Sequence, residues 1–385
     1  MSPDLGLALS GGGSRAAAFH RGTVRALDEL GIIPRVKTLS SVSGGSVFAA
    51  AWLAARARER TDQQFLTWMR EVLERGFIKH ALLHPRILKV LSPWRTRTHR
   101  IAETFDEVLF DKLTWKDLPA SPLLCLNTTL LNNAHTGRFS QTGYSSEGVG
   151  ERQADGSYAE CEAEVSIGFA TACSAAFPFG LPPLSIASDR FPHVDPRLGK
   201  RLLFTDGGIL ENLGVERLLK SKRFGTRHIL VSDAAVQDLP WQPRLLGKLR
   251  GALIYALSAQ ILERLLSIMN NKQNATMRAL LFAELTSELA ERRFVFVRLA
   301  QTWAGLIKPG QEERPELAVA RKLHTEMGGD RAANQASEVA TSFVGLSPST
   351  LDLLEAHARW QTHAMIQLYG KDLLPGVARS EASGT

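Results

Sequence analysis

Short apolar runs alternate with longer amphipathic runs at the start of the chain. Leu5 to Leu9 and Val36 to Ser41 are compact and apolar, which predicts two buried strands. Ala16 to Leu30 and Ser46 to Arg58 are longer and predict helices. Because strands that alternate with helices favour a parallel sheet with helices on its faces, we predict an α/β fold.

Strand-like runs return in the middle of the chain. We predict strands at Leu123 to Leu131, Arg138 to Thr142, Leu184 to Ala187, Arg201 to Thr205 and Arg227 to Ser232. A helix is predicted from Val165 to Ser174, and a polar surface loop from Ser145 to Gly156. Residues 59–120 have a charged, helical pattern interrupted by prolines, so we interpret them as an insertion that caps the fold.

The C-terminal part is mainly helical in pattern. Aliphatic residues recur at helical spacing at Leu246, Leu249, Leu253, Leu257, Ile261 and Leu265. We interpret this stripe as core packing of a C-terminal helical layer, with a membrane-binding face as the alternative. Another strand is predicted at Phe294 to Leu299, and helices at Pro348 to Ala358 and Trp360 to Gly370, while residues 308–340 show no clear pattern.

Composition narrows the class of protein. With 44% hydrophobic and 22% charged residues, the 385-residue chain is typical of a globular protein. Cys125, Cys161 and Cys173 show neither a disulfide framework nor zinc-ligand spacing, which fits a reducing cytosol. The longest apolar run, Val47 to Ala55, is about half of the roughly 20 residues that a membrane span needs. With no targeting segment visible, we expect a protein that does not cross a bilayer.

Positive charge is concentrated in one segment. No acidic residue lies between Glu74 and Glu103. The basic residues of this segment are Arg75, Lys79, Arg86, Lys89, Arg95, Arg97 and Arg100. Because large apolar residues including Trp94 are interspersed, the segment favours contact with an anionic lipid surface. A solvated helical cap and a nucleic-acid patch are the alternatives, although no nucleic-acid-binding motif accompanies the charge.

Two glycine-flanked turns carry the candidate chemistry. Gly11-Gly12-Gly13 and Ser41-Val42-Ser43-Gly44-Gly45 each follow a predicted strand and precede a predicted helix. The first turn offers backbone N–H groups at a helix N-terminus, and the second exposes the Ser43 hydroxyl. This combination predicts an oxyanion hole beside a nucleophile. The first turn also fits a relaxed dinucleotide fingerprint, but no acidic residue ends the second strand to hold a ribose.

A serine nucleophile needs a base, and a carboxylate is the best placed candidate. No histidine has a setting that marks it as a base, including His20 on the first helix. Asp206 closes a predicted strand and is followed by Gly207-Gly208, which would project it toward the sheet edge that carries Ser43. A turn-forming Asp-Gly is the alternative, and Asp233 is a second candidate base.

Together these residues resemble the patatin-like phospholipases, a family of lipid acyl hydrolases with a Ser-Asp dyad. The resemblance rests on the two glycine turns, on His20 and Gly22, and on Asp206-Gly207-Gly208 with Asn212. The stretch Ala170 to Pro178 is similar to a small-residue helix that lies beneath the family's active site. Ser41 and Gly214 depart from the family pattern, which has glycine and often proline there.

The resemblance implies a three-layer α/β/α sheet with Ser43 as nucleophile and Asp206 as base. It also implies that Gly11, Gly12 and Gly13 form the oxyanion hole, and that Arg15 anchors this loop or meets a phosphate. We predict a catalytic core at residues 1–235 with the helical insertion, a mainly helical part at 236–375 packed on it, and a disordered tail at 376–385.

The predicted function is that of a cytosolic serine lipid acyl hydrolase in peripheral contact with membranes. We expect it to act on lipid esters without a metal or organic cofactor. A non-catalytic lipid-binding regulatory protein of the same fold and a dinucleotide-binding oxidoreductase are the alternatives.

Overall fold

The computed structural model describes residues 4–77, 96–178, 180–220, 228–235, 250–286, 292–341 and 343–376. In these residues nine strands form one mixed sheet surrounded by helices, which confirms the predicted three-layer α/β/α fold with its helical C-terminal region. The strands are β1 (Leu5–Leu9), β2 (Val36–Val42), β3 (Leu123–Leu130), β4 (His135–Ser140), β5 (Gly143–Ser146), β6 (Leu184–Ala187), β7 (Arg201–Asp206), β8 (His228–Asp233) and β9 (Arg293–Arg298).

The α-helices within the described ranges are distributed from the first strand to the C-terminal part. They are α1 (Gly13–Glu29), α2 (Gly44–Ala57), α3 (Asp62–Arg75), α4 (Arg97–Thr104), α5 (Ile167–Ser174), α6 (Glu216–Lys220), α7 (Arg250–Thr286), α8 (Trp303–Leu306), α9 (Ala318–Glu326), α10 (Gly329–Ser337) and α11 (Pro348–Tyr369). A π-helical turn at Phe105–Leu109 continues α4.

The centre of the sheet is parallel, as the alternation of strands and helices predicts. The strand order is β5-β4-β3-β2-β1-β8-β9, and all neighbours from β3 to β9 in this order run in the same direction. Every residue of β1 is buried because helices cover both faces of the central strands. The carboxyl ends of these strands therefore meet at one edge of the sheet.

One edge of β3 is shared by two strands that meet end to end. β2 pairs with β3 in parallel as far as Val42, which lies opposite Asn127. β7 pairs with the next residues of β3 in the antiparallel direction, and Asp206 lies opposite Thr128. β4 occupies the other edge of β3. The ends of β2 and β7 therefore face adjacent residues of the same strand.

The C-terminal helix packs against the first helix. α1 and α11 approach so closely that a Cβ atom on Gly22 would lie 2.1 Å from the Glu355 carbonyl oxygen. The buried Glu355 carboxylate pairs with Arg21 and, at 2.6 Å, with Arg25. Residues near the C-terminus are thus part of the same packed body as β1 and α1.

Two local predictions differ from the structure, and one stretch without a prediction is partly helical. α11 is one continuous helix where the sequence predicts two. The predicted loop from Ser145 begins inside β5, a short strand whose serine side chains obscure the apolar alternation of a strand. Residues 308–340, which show no clear pattern, include helices α9 and α10.

The apolar stripe of α7 does not pack into the core where its side chains are described. Ile261 is 44% exposed and Leu265 is 50% exposed, so the predicted core packing is wrong for these two residues. Leu246 and Leu249 lie outside the described residues, and only the helical backbone is described at Leu253 and Leu257. Ile261 and Leu265 face away from the protein, whereas polar residues on another side of α7 line a cavity.

The basic segment is described only in part. Lys79, Arg86, Lys89 and Arg95 lie outside the described residues, as does the chain after residue 376. Arg97 is exposed, and Arg100 pairs with Glu103 at 2.6 Å. Among the helices that the structure describes, none has the length and apolar character needed to cross a membrane.

Candidate active site

Ser43 lies at a strained corner between β2 and α2. Its backbone has φ 53° and ψ −123°, a conformation that non-glycine residues rarely adopt. The corner is tight because a Cβ on Gly44 would lie 2.1 Å from the Gly13 carbonyl oxygen, and one on Gly45 would lie 2.6 Å from the Leu9 carbonyl oxygen. Such a corner is typical of a serine that is presented to a substrate.

Helix α5 supports this corner from below. The Ser43 N–H donates to Ser174 Oγ at 3.1 Å, and Ser174 Oγ in turn donates to the Asn127 carbonyl oxygen at 2.6 Å. Ser46 Oγ lies 2.8 Å from the same hydroxyl. Ser174 therefore connects the serine corner to β3. This contact gives a structural role to the stretch of small residues that begins at Ala170.

The glycine loop lies directly beside Ser43. A Cβ on Gly11 would lie only 3.1 Å from the Ser43 Cβ. Gly12 and Gly13 have φ values of 139° and 60°, and α1 begins at Gly13. The Gly11 N–H donates to the Asn212 carbonyl oxygen at 3.0 Å, whereas no acceptor within the described residues receives the N–H groups of Gly12 and Gly13. Two N–H groups at a helix N-terminus are thus available near the hydroxyl.

Asp206 is a buried carboxyl at the end of β7. It is 1% exposed, and its Oδ1 accepts from the Gly208 N–H at 2.7 Å. Burial raises the pKa of Asp206 to about 7, and the Ser43 hydroxyl and the Gly208 N–H offset part of the rise. Oδ2 has no hydrogen-bond partner, so the Ser43 hydroxyl lies near the carboxyl without a formed hydrogen bond to it.

The strand arrangement explains how the two groups meet. The sequence predicts that Asp206 projects from the same edge of the sheet as Ser43. In the structure, β7 runs antiparallel to β3 and pairs with it beyond the point where β2 ends, so Asp206 reaches this edge from the opposite direction. Gly207 permits the turn, since a Cβ there would lie 2.4 Å from the Asn127 carbonyl oxygen. The Asn212 side chain lies between this turn and the glycine loop, within 2.1 Å of a Cβ on Gly11.

Arg15 ties the glycine loop to a distant part of the chain. It is buried, and its Nη1 donates to the Val339 carbonyl oxygen at 2.9 Å. Burial lowers the pKa of Arg15 to about 10, and the charge of Asp233 offsets part of this shift. These contacts agree with a loop-anchoring role, while the contact with a phosphate stays a prediction.

His20 and the second candidate base, Asp233, are engaged elsewhere. His20 is buried, with Nε2 2.9 Å from the Ser10 carbonyl oxygen and Nδ1 2.8 Å from Ser232 Oγ, and burial lowers its pKa to about 4. Asp233 pairs with Arg278 at 2.6 Å and accepts from the Ala235 N–H. Asp206 is thus the carboxyl that approaches Ser43.

A cavity of about 570 Å³ opens above these groups. Its wall includes Gly12, Arg15, Ser43, Asp206, Phe177 and Asn212. The volume lies within the range of small-molecule sites. Among the described residues, no group of three or more histidine, cysteine or carboxylate side chains is placed to hold a metal ion.

The sequence interpretation missed two parts of the cavity wall. One is the segment around Val339, and the other is the polar face of α7. The α7 residues in the cavity wall are Arg264, Ser267, Asn270, Asn271 and Asn274. The steps from Arg264 to Ser267, Asn271 and Asn274 are three, four and three residues, which is helical spacing, so polar periodicity in the sequence indicates this face.

Comparison with known proteins places this geometry in a family. The profile described as patatin-like phospholipase matches residues 7–219. Human GIVD cytosolic phospholipase A2 superimposes with a TM-score of 0.51 and 14% identity, covering 97% of this chain and 63% of that chain. Its complex with methyl gamma-linolenyl fluorophosphonate gives a TM-score of 0.50 and 16% identity, over 97% and 58%.

At these identities the structural matches show a common fold, and the chain spans less than two thirds of the length of those proteins. No curated protein sequence matches the chain. The family profile covers more than half of the residues and includes both glycine turns and Asp206. The chain belongs to the patatin-like phospholipase family.

Proposed function

We propose that the protein is a serine lipid acyl hydrolase in which Ser43 is the nucleophile and Asp206 the base. One observation carries the proposal: the Ser43 hydroxyl approaches a buried carboxyl whose pKa is about 7. A carboxyl with this pKa is matched to proton transfer near neutral pH. Family membership supports a lipid ester as the substrate.

In the first half of the reaction, Asp206 accepts the hydroxyl proton as Ser43 Oγ attacks the ester carbonyl carbon. The N–H groups of Gly12 and Gly13 stabilise the oxyanion that forms, each by on the order of 100- to 1,000-fold in rate. The C–O bond to the alcohol then breaks. The leaving alcohol takes the proton from Asp206, and the acyl group remains on Ser43.

In the second half, a water molecule gives its proton to Asp206 and attacks the acyl carbon. The oxyanion forms again beside Gly12 and Gly13. The fatty acid leaves when the bond to Ser43 Oγ breaks, and Ser43 regains its proton from Asp206. We further propose that the enzyme works in the cytosol, in peripheral contact with anionic membranes.

Two substitutions test the dyad. We expect Ser43→Ala and Asp206→Asn each to abolish fatty acid release from phospholipid vesicles and hydrolysis of nitrophenyl butyrate. Asp330→Asn is the control, because this carboxylate also accepts from a backbone N–H, that of Trp303 at 2.6 Å, but does not line the cavity. Full activity of Ser43→Ala protein, or loss of activity in Asp330→Asn alone, would contradict the assignment.

Covalent labelling separates an enzyme from a non-catalytic lipid-binding protein of the same fold. A fluorophosphonate probe should modify wild-type protein at Ser43, as peptide mass spectrometry would show. The Ser43→Ala protein should remain unlabelled. Absence of labelling in a folded wild-type protein would favour the non-catalytic alternative.

A further inference from the structure

Helix α7 has its polar and apolar faces reversed relative to an ordinary surface helix. A helix on the surface of a globular protein turns apolar side chains inward and polar ones outward. In α7 the polar face of Arg264, Ser267, Asn271 and Asn274 lines the cavity. Asn274 is almost fully buried there.

The opposite side of α7 is apolar and exposed. We call Ile261, Leu265, Ile268 and Met269 the outer face of α7, and their exposure ranges from 37% to 55%. The exposed Lys272 follows them on the same side of the helix by its spacing from Ile268 and Leu265. No acidic side chain is described on this face.

The exposure of the outer face does not result from loose attachment of the helix. Arg278 pairs with the buried Asp233 at 2.6 Å, and Leu281 is buried. The Phe282 ring stacks on Phe296 of β9, with ring centroids 5.0 Å apart. These contacts determine which side of α7 faces the cavity and which faces outward.

We propose that the outer face of α7 docks on the surface of a lipid bilayer. Large apolar side chains accompanied by a lysine and by no acidic group suit the boundary between head groups and acyl chains. The same helix forms the wall of the cavity that contains Ser43, so docking places the cavity beside lipid. A lipid occupant rests on the proposed function, which takes lipid esters as substrates.

A fluorescent label tests contact at a single position. Cys125, Cys161 and Cys173 are buried, so a cysteine placed at Leu265 is the accessible thiol for a polarity-sensitive dye. In Ser43→Ala protein, we expect the dye on Leu265→Cys to shift to shorter wavelength when neutral phosphatidylcholine vesicles are added. The control is Val319→Cys on α9, where Val319 is 54% exposed, and its dye should not shift. No shift at Leu265 would overturn the proposal.

A second variant measures the size of the effect. We expect the combined change Ile261→Ser, Leu265→Ser and Met269→Ser to weaken vesicle binding at least about tenfold, since each side chain loses apolar contact with lipid. Hydrolysis of nitrophenyl butyrate should stay within about twofold of the wild-type rate. The control Val108→Ser, Leu131→Ser and Val319→Ser removes three comparably exposed apolar side chains elsewhere and should bind vesicles as wild type does.

The outcomes separate docking from catalysis. Unchanged vesicle binding in the α7 variant overturns docking, as does a change from oligomer to monomer, which would make the outer face a contact between copies of the chain. If wild-type protein does not hydrolyse nitrophenyl butyrate, the proposed function is overturned. A dye shift at Leu265 without any turnover would support docking and reject the enzyme.

Discussion

At the scale of single residues, the proposed dyad makes the reactivity of Ser43 depend on the protonation state of Asp206. As a base the carboxyl must be deprotonated, and its pKa is about 7. We therefore expect kcat/KM for a soluble ester to fall as the pH drops below about 7 and to level off above it. A pH profile with nitrophenyl butyrate checks this. A midpoint near the ordinary carboxyl value of about 4 would contradict it.

The same carboxyl should cost stability at neutral pH. Because its pKa is raised in the folded protein, the folded state binds the proton more tightly, and stability falls as the pH rises from about 4 to about 7. We expect Asp206→Asn to raise the free energy of unfolding at pH ~8 by on the order of 1 to 4 kcal/mol. Urea denaturation measures this, and the difference should vanish near pH ~4.

Ser174 should act as a positioning residue for Ser43. Ser174→Ala leaves the Ser43 N–H without its acceptor. We expect kcat and the rate of fluorophosphonate labelling to fall about tenfold while KM changes little, as for a lost buried hydrogen bond of roughly 1–3 kcal/mol. Ser166→Ala is the control, because it removes the cap of the same helix without touching Ser43. Equal labelling by both variants would argue against the role.

At the scale of elements, local sequence predicts most strands and helices but not their partners. β1, β2 and β7 are apolar runs ended by glycine turns, and each is visible in the sequence. The direction of β7 is not, because it depends on pairing with β3, which lies far away in the chain. The sequence therefore indicates that Asp206 could approach Ser43, but it does not indicate the direction from which β7 brings it there.

The orientation of α7 shows a second limit of sequence patterns. The spacing of Ile261 and Leu265 predicts an amphipathic helix but does not show which face turns inward. In most globular proteins the apolar face of a helix is inside, but here the polar residues of α7 line the cavity and Ile261 and Leu265 are exposed. The split prediction for α11 has a simpler cause, because polar residues around Arg359 interrupt the apolar pattern while the helical backbone continues.

The contact between α1 and α11 should depend on Gly22. In Gly22→Ala the new Cβ would lie 2.1 Å from the Glu355 carbonyl oxygen and 2.9 Å from the Ala358 Cβ, so the helices must separate. We expect a loss of about 1–3 kcal/mol in the free energy of unfolding, measured with urea. Gly180→Ala is the control, since its nearest neighbour lies 3.7 Å away. Equal stability of the two variants would refute the prediction.

At the scale of the whole molecule, the net charge of +7 should govern binding to anionic membranes. We expect affinity for phosphatidylglycerol vesicles to fall when salt rises from about 0.1 M to about 1 M, because the Debye length shrinks from about 10 to about 3 Å. Replacing Lys79, Arg86, Lys89 and Arg95 with glutamine should remove most of this salt dependence. Cosedimentation measures both effects, and binding that ignores salt in the wild type would contradict them.

The hydrogen bond between Arg15 and the Val339 carbonyl oxygen has a consequence for folding during synthesis. Ser43 and the glycine loop precede Val339 by a long stretch of chain, so they leave the ribosome well before the residue that holds Arg15. Loop closure between such distant residues must precede this contact. We therefore expect a nascent chain that stops before Val339 to be hydrolytically silent.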